Sequence, residues 1–233
     1  MSTHILVVDD ERELADVLEL YLTNDGYTVH KCYTGAEALD CIEHTALDLA
    51  LLDVMLPDAD GFQLCKKVRE KSYCPIIMLT ARAEDGDKIM GLTIGADDYI
   101  TKPFNPLEVV ARVKTQLRRY RLYNSSTPEP EKAVHEYDIR GLVINRDNRK
   151  CFLFGKEVQL TPLEFSVLWY LCEHQGVVVP SEELFEAVWG EKYLKNNNTL
   201  MAHIGRLREK LDEPARSPRF IKTIWGVGYT IEK

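Results

Sequence analysis

Short apolar runs alternate with amphipathic stretches through the first half of the chain. Ile5-Leu6-Val7-Val8, Leu49-Ala50-Leu51-Leu52 and Ile76-Ile77-Met78-Leu79 carry no polar residue, the mark of strands buried on both faces of a parallel sheet. Strands are expected near 4–8, 27–32, 48–52, 75–80 and 97–101. Each is followed by a stretch of helical period. The first helix is expected from about Asp10, which doubles as a candidate N-cap, with Leu14, Val17, Leu18, Tyr21 and Leu22 on one face. The last opens at Pro106, a favourable first-turn proline, and runs through Arg121. Five such units make a doubly wound, flavodoxin-like α/β sheet.

The pattern then changes. From Tyr123 to Lys132 the chain is polar and carries two prolines, which reads as a linker. Short strands follow near 141–145, 150–154 and 157–160, then three helical segments, then a strand pair near 220–224 and 228–232. Thr161-Pro162-Leu163-Glu164 combines an N-cap, a first-turn proline and an acid ahead of a helix with Phe165, Leu168, Trp169 and Leu171 facing a core. A second helix starts at Ser181. The third, about Asn197 to Leu211, has Leu200, Ile204, Leu207 and Leu211 as its buried stripe and Thr199, Ala202, His203, Arg206, Arg208 and Lys210 assigned to the opposite face. The domains expected are residues 1–121, a linker over 122–136, and an α+β domain over 137–233.

Composition sharpens this picture in two respects. The net charge of −8 is uneven: residues 1–121 hold 21 acids and 14 bases, whereas the window 195–222 holds seven bases against three acids. A basic window on an acidic protein points to a polyanionic partner. The six cysteines, Cys32, Cys41, Cys65, Cys74, Cys151 and Cys172, show no C-x-x-C spacing, so reduced thiols are expected rather than a disulfide framework or a zinc site. No apolar run has membrane-span length, and the N-terminus is acidic where a secretory signal is basic; the expected compartment is the cytoplasm.

The candidate chemistry lies where the strands end. Asp9-Asp10, Asp53 and Lys102-Pro103 each close an apolar run, and in an open α/β sheet the crevice lies beyond the carboxyl ends of the strands. Three acids and an ammonium converging there suit a hard cation and a phosphoryl group. Mg2+ prefers oxygen ligands and keeps several waters; Asp10 and Asp53 are the direct candidates, with Asp9 acting through water and Met55 offering its carbonyl. Asp53 can then attack phosphorus in line while Lys102 neutralises charge on the equatorial oxygens. Thr80, ending the fourth strand, can donate its hydroxyl to a phosphoryl oxygen. One alternative is a magnesium-dependent phosphohydrolase with an aspartyl-phosphate intermediate, but no D-x-D motif or spare general acid follows Asp53. Another, an RNA-binding or protein-interaction output domain, is disfavoured by the Thr199–Arg208 helix and the glycine-bearing hairpin.

These residues resemble the receiver domain of two-component response regulators. Asp9, Asp10, Asp53, Thr80, Tyr99, Lys102 and Pro103 match that family's positions, within Asp53-Val-Met-Leu-Pro57 and Gly95-Ala-Asp-Asp-Tyr-Ile-Thr-Lys-Pro-Phe104. The resemblance implies phosphotransfer from a histidine kinase to Asp53, a cis Lys102-Pro103 peptide, and Thr80 and Tyr99 moving together. It also implies that the protein is no enzyme beyond slow autophosphorylation and autodephosphorylation. Lys88, Asp97, Asp98, Glu108, Arg112 and Arg119 resemble a receiver dimer face. There the expected two-fold pairs are Lys88 with Glu108, Asp98 with Arg112, and Asp97 with Arg119.

The second domain resembles the winged helix-turn-helix of the OmpR/PhoB-type regulators. The matching strings are Leu160-Thr-Pro-Leu-Glu-Phe165, Val188-Trp189-Gly190, Thr199 with His203-Ile-Gly-Arg-Leu-Arg208, and Gly226-Val-Gly-Tyr229. That resemblance makes Met201, Ala202 and Arg206 readers of base edges, places His203, Arg208 and Lys222 nearer phosphates, counts Thr199 among the DNA-binding residues, and puts Trp225 and Gly226 in the wing. Two departures stand out: Gly205 occupies a recognition-helix position usually larger and often basic, and Trp225 sits where the wing commonly carries Arg. Double-stranded promoter DNA with tandem direct repeats, RNA polymerase, and a homodimer formed on phosphorylation are the implied partners, with activation the implied outcome. A narrower resemblance, over Asn197-Asn-Asn-Thr-Leu-Met201 and Ile224–Lys233, is to the VanR branch. It implies a VanS-like membrane kinase and vancomycin-resistance genes as target.

Overall fold

The computed structural model describes residues 2–81, 95–124, 135–190, 193, 199–214 and 217–232. The chain divides into two compact units, Met1–Tyr120 and Arg121–Lys233. In the first, β1 (His4–Val8), α1 (Arg12–Asn24), β2 (Thr28–Cys32), α2 (Gly35–His44), β3 (Leu49–Asp53), α3 (Gly61–Lys71), β4 (Ile76–Thr80), β5 (Asp98–Thr101) and α4 (Pro106–Asn124) follow in chain order. The five strands pair in parallel in the order β2-β1-β3-β4-β5. This is the flavodoxin-like order. The strand order reverses at β1 and β3, and the crevice opens beyond their carboxyl ends.

The two-residue period of a strand sorts the core onto two faces. Leu6, Val8, Ala50, Leu52, Ile76 and Met78 point toward α2 and α3, which contribute Ala38, Ile42, Phe62, Cys65 and Val68. Their neighbours Ile5, Val7, Leu49, Leu51, Ile77 and Leu79 point toward α1 and α4, with Leu18, Leu22, Val109, Val113 and Leu117. Full burial of each aliphatic side chain contributes about 1.5–3 kcal/mol, so both helical layers are held to the sheet by its apolar positions, and the buried polar residues Asp53, Thr80 and Asp98 lie at strand ends. Helix α1 begins at Arg12, with Glu11 as its N-cap. Asp10 therefore stands outside the helix, against expectation, and its carboxylate is left for other work.

The second unit opens with an antiparallel meander, β6 (Glu136–Ile139), β7 (Leu142–Asn145), β8 (Lys150–Leu153) and β9 (Lys156–Val158). Three helices follow, α5 (Pro162–Glu173), α6 (Ser181–Trp189) and α7 (Thr199–Lys210), with β10 (Val179–Pro180) between the first two. A closing hairpin, β11 (Ile221–Ile224) and β12 (Gly228–Ile231), pairs antiparallel, and β10 pairs with β12. Strands β6 and β10 lie outside the expected set. β6 (Glu-Tyr-Asp-Ile) is half polar and β10 has two residues, too little pattern to read. The start of α5 is the capping box its sequence spells: Thr161 accepts from the Glu164 N–H and Glu164 accepts from the Thr161 N–H. One core, from Ile139 through α5 and α6 to Ile231, unites the unit.

All six cysteines are free thiols, five of them buried. Among the described residues no helix is long and apolar enough to cross a membrane.

Candidate phosphoryl pocket and nucleic-acid interface

Parallel pairing brings four chain segments to one end of the sheet. Asp9 follows β1, Asp53 ends β3, Thr80 ends β4 and Lys102 follows β5. The Lys102 N–H donates to the Thr80 carbonyl at 2.7 Å, and the Lys102-Pro103 peptide is cis. The Lys102 ammonium sits 2.6 Å from Asp53 Oδ2 and 2.7 Å from Asp9 Oδ2. Asp9, Asp10 and Asp53 each offer a carboxylate oxygen within 4.8 Å of the others. Asp9 and Asp53 are buried, while Asp10 faces outward.

The electrostatics follow from this crowding. Burial pushes the Asp9 carboxyl above its ordinary range; the hydrogen bond from Lys102 works against that shift, and the Asp53 charge adds to it. Burial would lower Lys102, but its hydrogen bonds to Asp53 and Asp9 outweigh it and raise the ammonium's pKa. Three carboxylates face one ammonium, so the pocket holds an excess of negative charge in partly buried surroundings. A hard divalent cation answers that excess with oxygen ligands of the right kind.

Three further residues fix the receiver backbone, Gly61 directly beneath Asp53, and the sequence reading did not pick them out. A side chain on Gly61 would bring its Cβ to 2.0 Å from the Asp53 carbonyl oxygen. The start of α3 can therefore lie against Asp53 only because residue 61 is glycine. Asp58 caps α2 from a distance, accepting from the Gly35 N–H at 2.9 Å and the Ala36 N–H at 3.2 Å; these backbone bonds hold its carboxyl below the usual range. Arg69 of α3 donates to the Gly95 and Cys74 carbonyls and to Asp97 Oδ2. Each acts on backbone far away in sequence, which no local motif announces.

The residues assigned to a dimer face are placed unevenly. Asp97 is buried, and its carboxylate takes hydrogen bonds from Arg69 and the Ile76 N–H. Asp98 is also buried and pairs within its own chain with Arg112 at 2.8 Å; Arg112 reaches Glu108 at 3.2 Å as well. Two of the expected exposed acids are therefore interior groups with partners in the same chain. Arg119 is half-buried on α4. Tyr99 is half-buried beside the buried Thr80 strand end. Lys88 lies outside the described residues, as do the linker segment 125–134 and residues 194–198.

The second unit corrects the expected reading face of α7. The stripe of Leu200, Ile204, Leu207 and Leu211 is buried as expected, but Thr199, Ala202, His203 and Arg206 are buried too. His203 packs edge-on against Trp189, with ring centroids 5.2 Å apart. Arg206 lies beside His203 and approaches Glu164, with Nε 3.8 Å from Oε1. Lys210 pairs with the same Glu164 at 2.7 Å. The helix packs against the core on one flank and on the Glu164 capping box on the next, so the buried arc is wider than an amphipathic wheel suggests. The outward face is Met201, Gly205 and Glu209, with Arg208 at its edge.

Arg208 donates to the Ile221 carbonyl and to Thr223 Oγ1, which fixes α7 to β11. Lys222 pairs with Glu232 across the hairpin. At the hairpin tip Trp225 is 89 % exposed, and Gly226 takes a positive φ of 75° that the turn requires.

Comparison with known proteins fits both halves. Residues 5–114 match the response regulator receiver domain, and residues 155–231 match the C-terminal domain of transcriptional regulatory proteins. The chain is 62 % identical over 233 residues to the regulatory protein VanRc of Enterococcus gallinarum, covering all of both chains. It is 54 % identical over 235 residues to the regulatory protein VanR of Enterococcus faecium, again over the full length of both. Among solved structures, the response regulator DrrB, a Thermotoga maritima OmpR/PhoB homologue, matches with a TM-score of 0.52 and 34 % identity over the whole of both chains. These relatives are transcriptional regulators, and the phosphohydrolase reading falls with that. A receiver takes its instruction from a sensor kinase, and the C-terminal domain binds DNA. The chain belongs to the two-component response regulators of the OmpR/PhoB type, a phosphoacceptor receiver joined to a winged-helix DNA-binding domain.

Proposed function

We propose that Asp53 accepts a phosphoryl group from the phosphohistidine of a VanS-like sensor kinase, and that the phosphorylated chain pairs through its receiver to switch on vancomycin-resistance genes. The observation that supports it most is the Lys102 ammonium within 2.7 Å of both Asp9 and Asp53. In-line attack by the Asp53 carboxylate forms the new O–P bond as the P–N bond to the imidazole breaks, and the electron pair leaves with the nitrogen. The Met55 N–H, 2.9 Å from Asp53 Oδ1, keeps the carboxylate plane fixed during the attack. Lys102 follows the developing charge, exchanging a carboxylate oxygen for a phosphoryl oxygen. Thr80 donates its hydroxyl to a second phosphoryl oxygen, and Tyr99 moves with it.

Asp10 and Asp53 are the direct magnesium ligands in this reading, with Asp9 acting through water and Met55 through its carbonyl. Magnesium held there would supply positive charge beside the equatorial oxygens. The excess of carboxylates over cations in the pocket is the feature of this chain that suits the metal.

Control of the output follows from mass action. Two receivers paired through α4, β5 and the preceding segment that holds Lys88 bring two DNA-binding domains together, and tethering of this kind raises avidity by ~10²–10⁴ without a new DNA contact. Because Asp97 and Asp98 are engaged within the chain, the pairing depends on Arg112 and Glu108 changing partners rather than on free acids. Tandem direct repeats are the expected operator, since receivers pair symmetrically while linked domains bind head to tail. The sequence from Trp189 to Asn196 resembles the polymerase-contacting loop of OmpR/PhoB-type regulators, which supports RNA polymerase as a partner and activation as the outcome. Acetyl phosphate with magnesium should add one hydroxylamine-labile phosphoryl group to the wild-type chain and none to Asp53→Ala, read by mass spectrometry. Equal labelling of both chains would refute the assignment of Asp53.

A further inference from the structure

Apolar groups are exposed in the second unit at the one place where a DNA-binding protein is usually charged. Met201 on α7 is 60 % exposed and Trp225 on the hairpin is 89 % exposed, with Ile224 and Val227 beside it. Gly205 lies one turn along from Met201, and a Cβ placed there would meet nothing within 4 Å. Space is therefore no reason for glycine at this position. Between α7 and the hairpin runs a groove of about 730 Å3, lined by Met201, Gly205, Arg208, Thr223, Trp225 and Val227 among others. Clustered apolar exposure of this kind marks a contact surface.

The cations nearby are engaged elsewhere. Arg206 is buried beside Glu164, Lys210 pairs with Glu164, Lys222 pairs with Glu232, and Arg208 is held by Ile221 and Thr223. Among the described residues, the outward face of α7 offers base edges a thioether, a bare backbone and the Glu209 carboxylate. A bidentate arginine contact to guanine is not available from that face. An apolar contact to the 5-methyl group of thymine is the readout that fits it.

Resting on the DNA-binding reading above, we infer that this chain selects its operator by thymine methyl groups. Met201 contacts them, Gly205 lets the helix backbone approach the groove floor, and Trp225 packs on the sugar edges of the adjacent minor groove. Apolar side chains do enter the minor groove in other proteins, where they wedge between base steps. With few free cations on α7, that helix makes affinity depend less steeply on salt than a reading helix that carries arginines.

The test starts by selecting duplexes from a random pool with the full chain, activated by acetyl phosphate and magnesium. The preferred duplex is then resynthesised with deoxyuridine for thymidine, which removes only the methyl groups. Wild type should lose about fourfold in affinity per contacted methyl. Met201→Ala should bind both duplexes alike, at the affinity of wild type for the uridine duplex. Gly205→Lys, for which there is room, should steepen the log–log salt slope by about one and blunt the preference for thymine. Equal wild-type affinity for both duplexes overturns methyl readout while leaving DNA binding intact. A uridine loss that persists in Met201→Ala overturns the assignment to Met201. A pool from which nothing is enriched overturns the DNA-binding reading itself.

Discussion

Gly61 shows how little tolerance the phosphoryl pocket has at single residues. Its missing Cβ would sit 2.0 Å from the Asp53 carbonyl oxygen and 2.9 Å from Val54 Cα, backbone atoms that cannot rotate away. Gly61→Ala should destabilise the receiver by about 1–3 kcal/mol and slow labelling from acetyl phosphate, checked by urea unfolding and mass spectrometry; an unchanged midpoint would show that the loop gives way freely. At the other end of the sheet His4 Nδ1 and His30 Nε2 share one hydrogen bond at 2.9 Å. The Asp48 carboxylate accepts from the His4 N–H nearby. Burial, with the neighbouring His4, lowers the pKa of His30. The unfolded chain thus binds a proton at His30 near pH 6.5 while the folded chain resists it. Its contribution is complete above that pH and is lost as the pH falls from there through the lowered folded value. His30→Gln should remove this acid sensitivity, seen as a flatter stability profile between pH 7 and 5. Asp9, Asp53 and Lys102 were legible in sequence because each ends an unmistakable strand. Gly61, Asp58 and Arg69 were not, because their partners are backbone groups set by the fold.

At the level of elements, buried apolar runs located β1, β3 and β4 within a residue or so, since nothing but a two-faced strand accommodates them, whereas the edge strands β2 (Thr28–Cys32) and β5 (Asp98–Thr101) are mixed in polarity. Helix α7 was harder. Its sequence shows one aliphatic stripe and a mixed arc of Thr199, Ala202, His203 and Arg206, which reads as surface until Glu164, 42 residues before Arg206, is known to lie beneath it. A buried ion pair hides a polar residue from any pattern drawn along one helix. Glu164 therefore carries two loads: it closes the capping box of α5 and anchors Lys210 and Arg206 of α7. Breaking such a pair leaves buried charge behind and costs about 3–5 kcal/mol. Glu164→Ala should lower the thermal midpoint of the second unit and abolish DNA binding near its new midpoint, while acetyl phosphate still labels Asp53. A variant that keeps wild-type melting would mean the pair is dispensable.

In the molecule as a whole, a pocket that gains charge on phosphorylation and a helix whose outward face is Met201, Gly205 and Glu209 belong to one chain. The acidic receiver and the helix with few free cations both argue that a single unphosphorylated chain holds DNA weakly, and that pairing supplies the missing affinity. Exposed pairs contribute only ~0–1 kcal/mol each, and Arg112 already binds Asp98 and Glu108 at home. Arg112→Glu should accordingly weaken dimerisation of the phosphorylated chain severalfold in sedimentation while leaving phosphorylation intact; an unchanged association constant would remove Arg112 from the interface. The central claim is that phosphorylation of Asp53 governs DNA affinity, and its most direct test is promoter binding by wild type and Asp53→Ala, each with and without acetyl phosphate and magnesium. Wild type alone should dimerise and gain affinity by ~10²-fold or more. Equal binding by both proteins under all four conditions would contradict it.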